Sequence, residues 1–237
     1  MAVERHDAVI LLEKHFYGEH RCHGIFLTQA YGCMRVNLPK RKSLSLQPGD
    51  FGQLRWKTHS TERLAFGSYE GETSPISTIF HNPCALIALK SACTLCVRVL
   101  PEHAPAEPMF RALIRLLKEM SVFHPALYVR FECEALFHIG YGLDLTRCAV
   151  TGAFSELRFV SPKTGCAVSE KGAGSYREKL LKLPIFLRDP SIKLEDISSE
   201  DIRQGLRLTE HFWNRALRAL HPTHLLPPER ILLEQYL

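Results

Sequence analysis

Between residue 8 and about residue 70 the apolar positions come in short runs, AVILLEK, CHGIFLT, CMRVNL, DFGQLRWK and RLAFGSYE, each broken off by turn-forming residues. Runs of this length read as strands, and Gly18, Gly24, Gly32, Pro48, Gly49 and Asp50 supply the turn chemistry between them. Five short strands in succession predict a small closed barrel, an OB-like five-stranded β-barrel over residues 1–75. The segment GETSPISTIFHN, 71–82, has loop composition and marks a boundary.

Beyond it the period lengthens. Asn82 before Pro83 reads as an N-cap followed by proline at the first helical position, and amphipathic stretches follow at 83–100, 106–121 and 125–140. In the second, Phe110, Leu113, Leu117 and Met120 share one face while Arg111, Arg115 and Lys118 line the opposite one. In the third, Leu127, Phe131, Ala135 and Ile139 face inward, and Arg130 and Glu134 have i,i+4 spacing. A helical domain is therefore expected over 83–143. After Gly140 two turn-rich halves with β-prone pieces around Arg158–Val160 and Cys166–Val168 predict a ribbon-like segment over 144–175. The remainder, 176–237, reads as C-terminal helices packing on the helical domain, the longest from Ser199 as N-cap to Leu220. The expected class is α+β multidomain: a barrel, then an α-helical domain with a degenerate zinc-ribbon-like insertion.

Charge adds a binding surface to this outline. The net charge is a modest +5, but residues 35–57 hold Arg35, Lys40, Arg41, Lys42, Arg55 and Lys57 against the single acid Asp50. On adjacent strands and their connecting loop these cations would neutralise phosphates, with Arg21 as a further contributor. The aromatic residues Phe16, Tyr17, Tyr31, Phe51 and Trp56 are interleaved with them and could stack on bases, with Tyr31 and Trp56 as the leading candidates. A second stripe, Arg203, Arg207, His211, Arg215 and Arg218, follows one face of the last long helix.

Other chemistry is excluded. No glycine loop, nucleophile elbow or paired carboxylates appear, so no catalytic residue is assigned. Cys93 and Cys96 form a CxxC inside an apolar helical run and are expected as core thiols. Cys148 and Cys166 invite a zinc reading, but Thr151, Ser169 and Gly172 stand where further ligands would be needed, so no metal is expected. Lys90, Arg98 and Arg130 interrupt the richest apolar stretches, and the opening MAVERHDAVILLEK is too charged for a signal segment, which predicts a soluble, cytoplasmic protein with reduced thiols.

Several strings together resemble one family. AVILLEKHFYGEH, LTQAYGCMRV and LQPGDFGQLRW, followed by FECEALFHIGYGLDLTRCAVTG and LRFVSPKTGCAVS, are similar to the RecO family of bacterial recombination mediators over nearly the whole chain. The resemblance implies binding of single- and double-stranded DNA and annealing of complementary strands. It also implies cooperation with RecR and, indirectly, RecA on DNA coated by single-strand-binding protein, in a nucleoid-associated setting. It further implies that the acidic, apolar tail of single-strand-binding protein is captured in a hydrophobic groove with basic walls, for which Arg115, Lys118 and Arg130 are the candidates. Many family members carry four zinc cysteines; this chain keeps Cys148 and replaces the others with Thr151, Ser169 and Gly172, so zinc is not carried over. The alternative reading is a general OB-fold nucleic-acid chaperone acting on RNA.

Overall fold

The computed structural model describes residues 3–17, 21–58 and 65–236, with main chain alone for Val3, Lys42 and Thr58. The turn expected at Gly18 lies outside the described residues. The chain divides into two compact units, Met1–Val122 and Phe123–Leu237, a boundary that falls inside the stretch 83–143.

The first unit is built on strands β1 (Val3–Tyr17), β2 (Arg21–Thr28), β3 (Gly32–Pro39), β4 (Phe51–Thr58) and β5 (Ala65–Thr73). They close a barrel in the order β1-β2-β3-β5-β4, as the alternating sequence predicts. β1 serves two neighbours: Val3–Ile10 pairs with β4, and Val9–Tyr17 pairs with β2. A bulge at Leu12 breaks the second ladder between Leu11 and Glu13. Such an extra residue reverses which side chains face inward and bends the strand. Ahead of it Val9 and Leu11 point into the core with Phe26, Met34, Val36, Leu54 and Trp56.

Past the bulge Lys14 stands opposite Gly24 and reaches the carbonyls of Ser43, Leu44 and Leu46 with its ammonium group. Those carbonyls border a single helical turn, α1 (Lys40–Ser43), whose buried Ser43 hydroxyl donates to Pro39 O at 2.9 Å. Gly32 has no substitute: its φ is +74° and a Cβ there would stand 1.7 Å from the Ala104 carbonyl oxygen.

The segment 71–82 is more ordered than its composition suggests, since β5 runs to Thr73 and Ile76–Ile79 form a short helix, α2. Asn82 caps α3 (Pro83–Val99), its side chain accepting from Ala85 N at 3.0 Å, and α4 (Glu107–Lys118) follows. Cys93 and Cys96 are buried in α3. Burial pushes the Cys93 thiol up to about 12 and raises that of Cys96, so both pack as small neutral side chains.

The second unit comprises α5 (Pro125–His138), β6 (Leu157–Val160), β7 (Ala167–Ser169), α6 (Glu170–Ala173), β8 (Leu181–Lys182), α7 (Ser199–Leu220) and α8 (Pro228–Leu233), with the strands ordered β7-β6-β8. The N-cap of α7 is Ser198, one residue earlier than the sequence suggests; its hydroxyl accepts from Asp201 N and donates to the Asp201 carboxylate. His211 and Arg215, from the basic stripe of α7, donate to the carbonyls of Pro162 and Lys163 at 3.0 and 2.8 Å and so fasten the turn between β6 and β7.

At the centre of this unit lies a buried ion pair. Arg230 of α8 donates through Nε to Glu132 of α5 at 2.7 Å and through Nη2 to Leu206 O, while the Thr209 hydroxyl donates to the other Glu132 oxygen. Removing one member leaves the other charged and unpaired in a dry site, whereas replacing both by apolar groups avoids that cost. Arg230→Ala is therefore expected to destabilise the protein by about 3–5 kcal/mol, and the double change Arg230→Met with Glu132→Leu by much less. Urea denaturation of the three proteins checks this.

Candidate nucleic-acid interface

The strand registers place a continuous band of side chains on the outside of the barrel. Tyr17 lies opposite Arg21, His23 opposite Asn37, Asn37 beside Phe66, and Phe66 opposite Lys57. Opposed residues on neighbouring strands share a face, so the band crosses all five strands. Two of its rings are open to solvent in a way that core aromatics are not, Tyr17 at 38% and Phe66 at 52% exposed, and Phe16, opposite buried Cys22 on the other face of β1, is 44% exposed at the barrel mouth. Tyr17 stacks on His23 with centroids 3.9 Å apart and its hydroxyl bonds Asn37 Oδ1. Burial, then the neighbouring charges of Arg35 and His15, hold His23 below the ordinary histidine range, which keeps the stacked ring neutral at pH 7.

Cations cover these rings. Arg21 sits 5.0 Å from the Phe66 centroid, and Lys14 and Lys40 lie 5.3 and 5.9 Å from that of Phe16. Arg41 on α1 and Arg55 on β4 are exposed. Arg35 pairs with Glu102 at 2.6 Å and Lys57 with Glu4 at 3.2 Å; exposed pairs of this kind are worth about 0–1 kcal/mol, so a phosphate can displace the carboxylates. Gly67 floors a shallow groove of 410 Å³ bordered by Arg55, Lys57 and Phe66. A Cβ at this position would fall 2.6 Å from Arg55 O.

Of the residues expected to contact DNA, the structure thus gathers Arg21, Arg35, Lys40, Arg41, Arg55 and Lys57 on the exposed surface. The side chain of Lys42 lies outside the described residues. Trp56 is placed otherwise: at 1% exposure it belongs to the barrel core, because its strand position alternates inward with Leu54. Tyr31 is half-buried, packed edge-on against Trp56 at 5.4 Å and covered by the Arg5 guanidinium. Of the three exposed rings, Phe16 and Tyr17 are among the interleaved aromatics of the sequence, and Phe66 is the one that reading leaves out. Phe16 and Tyr17 follow the bulge, which reverses their facing, but Phe66 next to buried Ala65 in RLAFGSYE fits simple alternation.

Also in the first unit, a largely apolar groove of 570 Å³ is lined by Ala8, Phe51, Phe110, Ile114, Leu117 and Lys118. Arg115 precedes Lys118 by one turn on α4. Arg130 belongs to the second unit and is engaged there, donating to Phe186 O at 3.2 Å with its guanidinium over the Phe186 ring.

In the second unit the turn after Cys148 wraps around its sulfur. The amides of Val150, Thr151 and Ser169 point at Sγ from 3.4, 3.3 and 3.2 Å, and the Ser169 hydroxyl adds a fourth donor at 3.3 Å. Burial opposes ionisation of this thiol, but the Ser169 and Thr151 donors outweigh it and bring its pKa down to about 6.

Residues 81–225 match the family model described as "Recombination protein O C terminal". The chain is 37% identical to the DNA repair protein RecO of Acidiphilium cryptum over 90% of its own length and 87% of the relative's. It is 33% identical to the protein of the same name from Caulobacter vibrioides over 98% and 94%. The chain belongs to the RecO family. Members of the RecO family are non-enzymatic recombination mediators in DNA repair, which agrees with a surface made of rings and cations rather than of reacting groups.

The zinc of many RecO sequences does not fit this chain's residues. Thr151 Oγ1 and Ser169 Oγ face each other at 3.3 Å, Gly172 offers no side-chain donor, and a Cβ at Gly172 would already stand 2.9 Å from Cys148 Sγ. One thiolate held by four hydrogen bonds occupies the space that a four-ligand site would need. Among the described residues no three His, Cys, Asp or Glu side chains come together as a metal site. Two results are expected: chelator treatment leaves the melting temperature unchanged, and Cys148→Ala costs about 1–3 kcal/mol by orphaning buried donors. Because the folded-state pKa lies below the ordinary thiol value of about 8.5, this stabilisation is complete above about that pH and is lost as pH falls through about 6. Melting the wild type and Cys148→Ala from pH 5 to 9 checks the sign: the gap should widen with pH.

Proposed function

We propose that the outer band of the barrel holds single-stranded DNA, with Phe16, Tyr17 and Phe66 stacking on bases while Arg21, Lys40, Arg41, Arg55 and Lys57 neutralise phosphates. Membership of the RecO family makes DNA the partner, and the observation that supports this seat is the run of exposed rings overlaid by cations across β1, β2 and β5. Aromatic platforms flanked by positive charge bind single strands with little sequence preference, as a protein acting at any break requires. Lys14 and Ser43 fix α1 in place, so Lys40 and Arg41 are presented without a large ordering cost on binding. The same basic turn can meet the backbone of a duplex.

The apolar groove between the barrel and α4 suits a short peptide that is acidic and apolar, and we assign it to the tail of single-strand-binding protein. Phe110, Ile114 and Leu117 would receive the apolar side chains, and Lys118, with Arg115 a turn earlier, the carboxylates. Arg130 takes no part in this assignment because its guanidinium is engaged by Phe186. Tail and DNA held on one protein raise each other's effective concentration, which loosens coated strands for annealing or, with RecR, for RecA loading. The setting is the bacterial cytoplasm.

Phe66→Ala is expected to weaken binding of an oligo-dT by about 1–3 kcal/mol with an unchanged salt slope. Lys40→Glu with Arg41→Glu should weaken binding and flatten the salt slope by about 0.7 per lost phosphate contact. Fluorescence anisotropy at several salt concentrations reads both, and unaltered affinities in both variants would remove the barrel band as the binding surface. For the mediator role, annealing of oligonucleotides coated with single-strand-binding protein should accelerate only when the coating protein keeps its tail. Equal acceleration of RNA and DNA, tail or no tail, would favour the general chaperone reading.

A further inference from the structure

The second unit carries a cleft of 690 Å³ that the reading above does not use. It opens between the sheet and the first turns of α7. Arg158 comes from β6, Lys182 from β8, Arg188 from the turn after Ile185–Leu187, and Phe159, Leu183 and Pro184 supply the apolar lining. Ile185 adds an exposed aliphatic side chain at the mouth.

The charges of this cleft divide into committed and uncommitted ones. Arg177 is paired with Glu170 at 2.5 Å and lies over the Phe159 ring at 5.5 Å. Asp201 belongs to the cap of α7, accepting from the Ser198 hydroxyl at 2.6 Å. Glu200, near Lys182, takes the Gln204 amide at 2.9 Å and faces Arg203 at 3.7 Å. Arg158, Lys182 and Arg188 make no ion pair among the described residues, and Glu156 is the remaining acid of the lining. Glu156 is also held at φ +53°, a left-handed conformation that a non-glycine residue adopts at a cost. Its carbonyl accepts from Glu170 N at 2.9 Å, which locks the strained residue into the rim. Three uncommitted cations on three separate segments, set around an apolar floor, match a flexible chain that carries repeated anions and flat apolar groups.

We propose that this cleft is a second seat for single-stranded nucleic acid, with Arg158, Lys182 and Arg188 on phosphates and the exposed Ile185 against bases. The proposal rests on the barrel reading, since a protein that pairs two complementary strands has to hold both, and the barrel band seats one of them. A peptide bearing carboxylates would meet the same cations, and it is one of the outcomes of the test.

The test uses the full chain and fluorescein-labelled oligo-dT, comparing wild type with Arg158→Ala/Lys182→Ala/Arg188→Ala and with Lys40→Glu/Arg41→Glu. The cleft variant is expected to bind one strand where the wild type binds two, and to keep the tighter phase within about twofold. Its annealing rate should fall roughly tenfold as the second strand loses its effective concentration. In the three single variants, which keep a weaker phase, its salt slope should drop by about 0.7, one phosphate contact each.

Unchanged stoichiometry and annealing in a variant with wild-type melting would overturn the proposal. So would displacement of an acidic peptide from the cleft with no effect on DNA. Should the triple variant melt early, the three single variants read the same slope one contact at a time. The two readings fail separately: loss of the tighter phase in the cleft variant but not in Lys40→Glu/Arg41→Glu would reject the barrel seat while leaving the cleft standing.

Discussion

The first unit depends on one strand being asked to do two things. β1 has to pair with β4 along its first half and with β2 along its second, or the barrel does not close. A straight strand cannot satisfy both ladders, and the extra residue Leu12 supplies the bend. Everything functional at this end of the barrel inherits that bend. It turns Lys14 to the other face of the strand, opposite Gly24, and from there the ammonium gathers the carbonyls beside α1. It also turns Tyr17 outward onto His23 and brings Phe16 to the mouth beside Lys40. Backbone closure and ligand surface are thus two results of the same irregularity.

This explains where the sequence was easy to read and where it was not. Five strands, the Asn82 cap, the neutral thiols of Cys93 and Cys96 and the basic stretch from Arg35 to Lys57 all follow from local patterns, because each depends on a residue and its near neighbours. Trp56 did not. Its aromatic ring and its place among arginines suit stacking, but parity on β4 sends it inward with Leu54, and a single-residue choice of register decides between core and surface. Phe16 and Tyr17 stand out as interleaved aromatics, but their facing does not, because it is set by the bulge, which composition does not announce. The cleft of the second unit combines β6, β8 and the start of α7, so its charges are scattered from Glu156 to Asp201 and form no run that a scan along the chain would notice.

The basic stripe on α7 shows the converse. Arg203, Arg207, His211, Arg215 and Arg218 look like a binding face by spacing, yet His211 and Arg215 are occupied with the carbonyls of Pro162 and Lys163. Around Cys148 hydrogen bonds likewise take up a position that elsewhere in the family can serve a metal. In both places backbone groups of a short turn need partners, and the side chains nearest them provide those partners before any ligand can.

Arg230 follows Glu132 by 98 residues, and this separation matters before the protein is finished. At about 5–20 residues per second a ribosome makes the carboxylate roughly 5–20 s ahead of its guanidinium. During that interval α5 can form but cannot be buried without protonating Glu132 or leaving it in water. Among the described residues the ion pairs of the first unit are exposed, so none of its elements waits on a distant charge to be buried. The helix that carries Glu132 therefore gains its buried partner only when the last α-helix of the chain has been made.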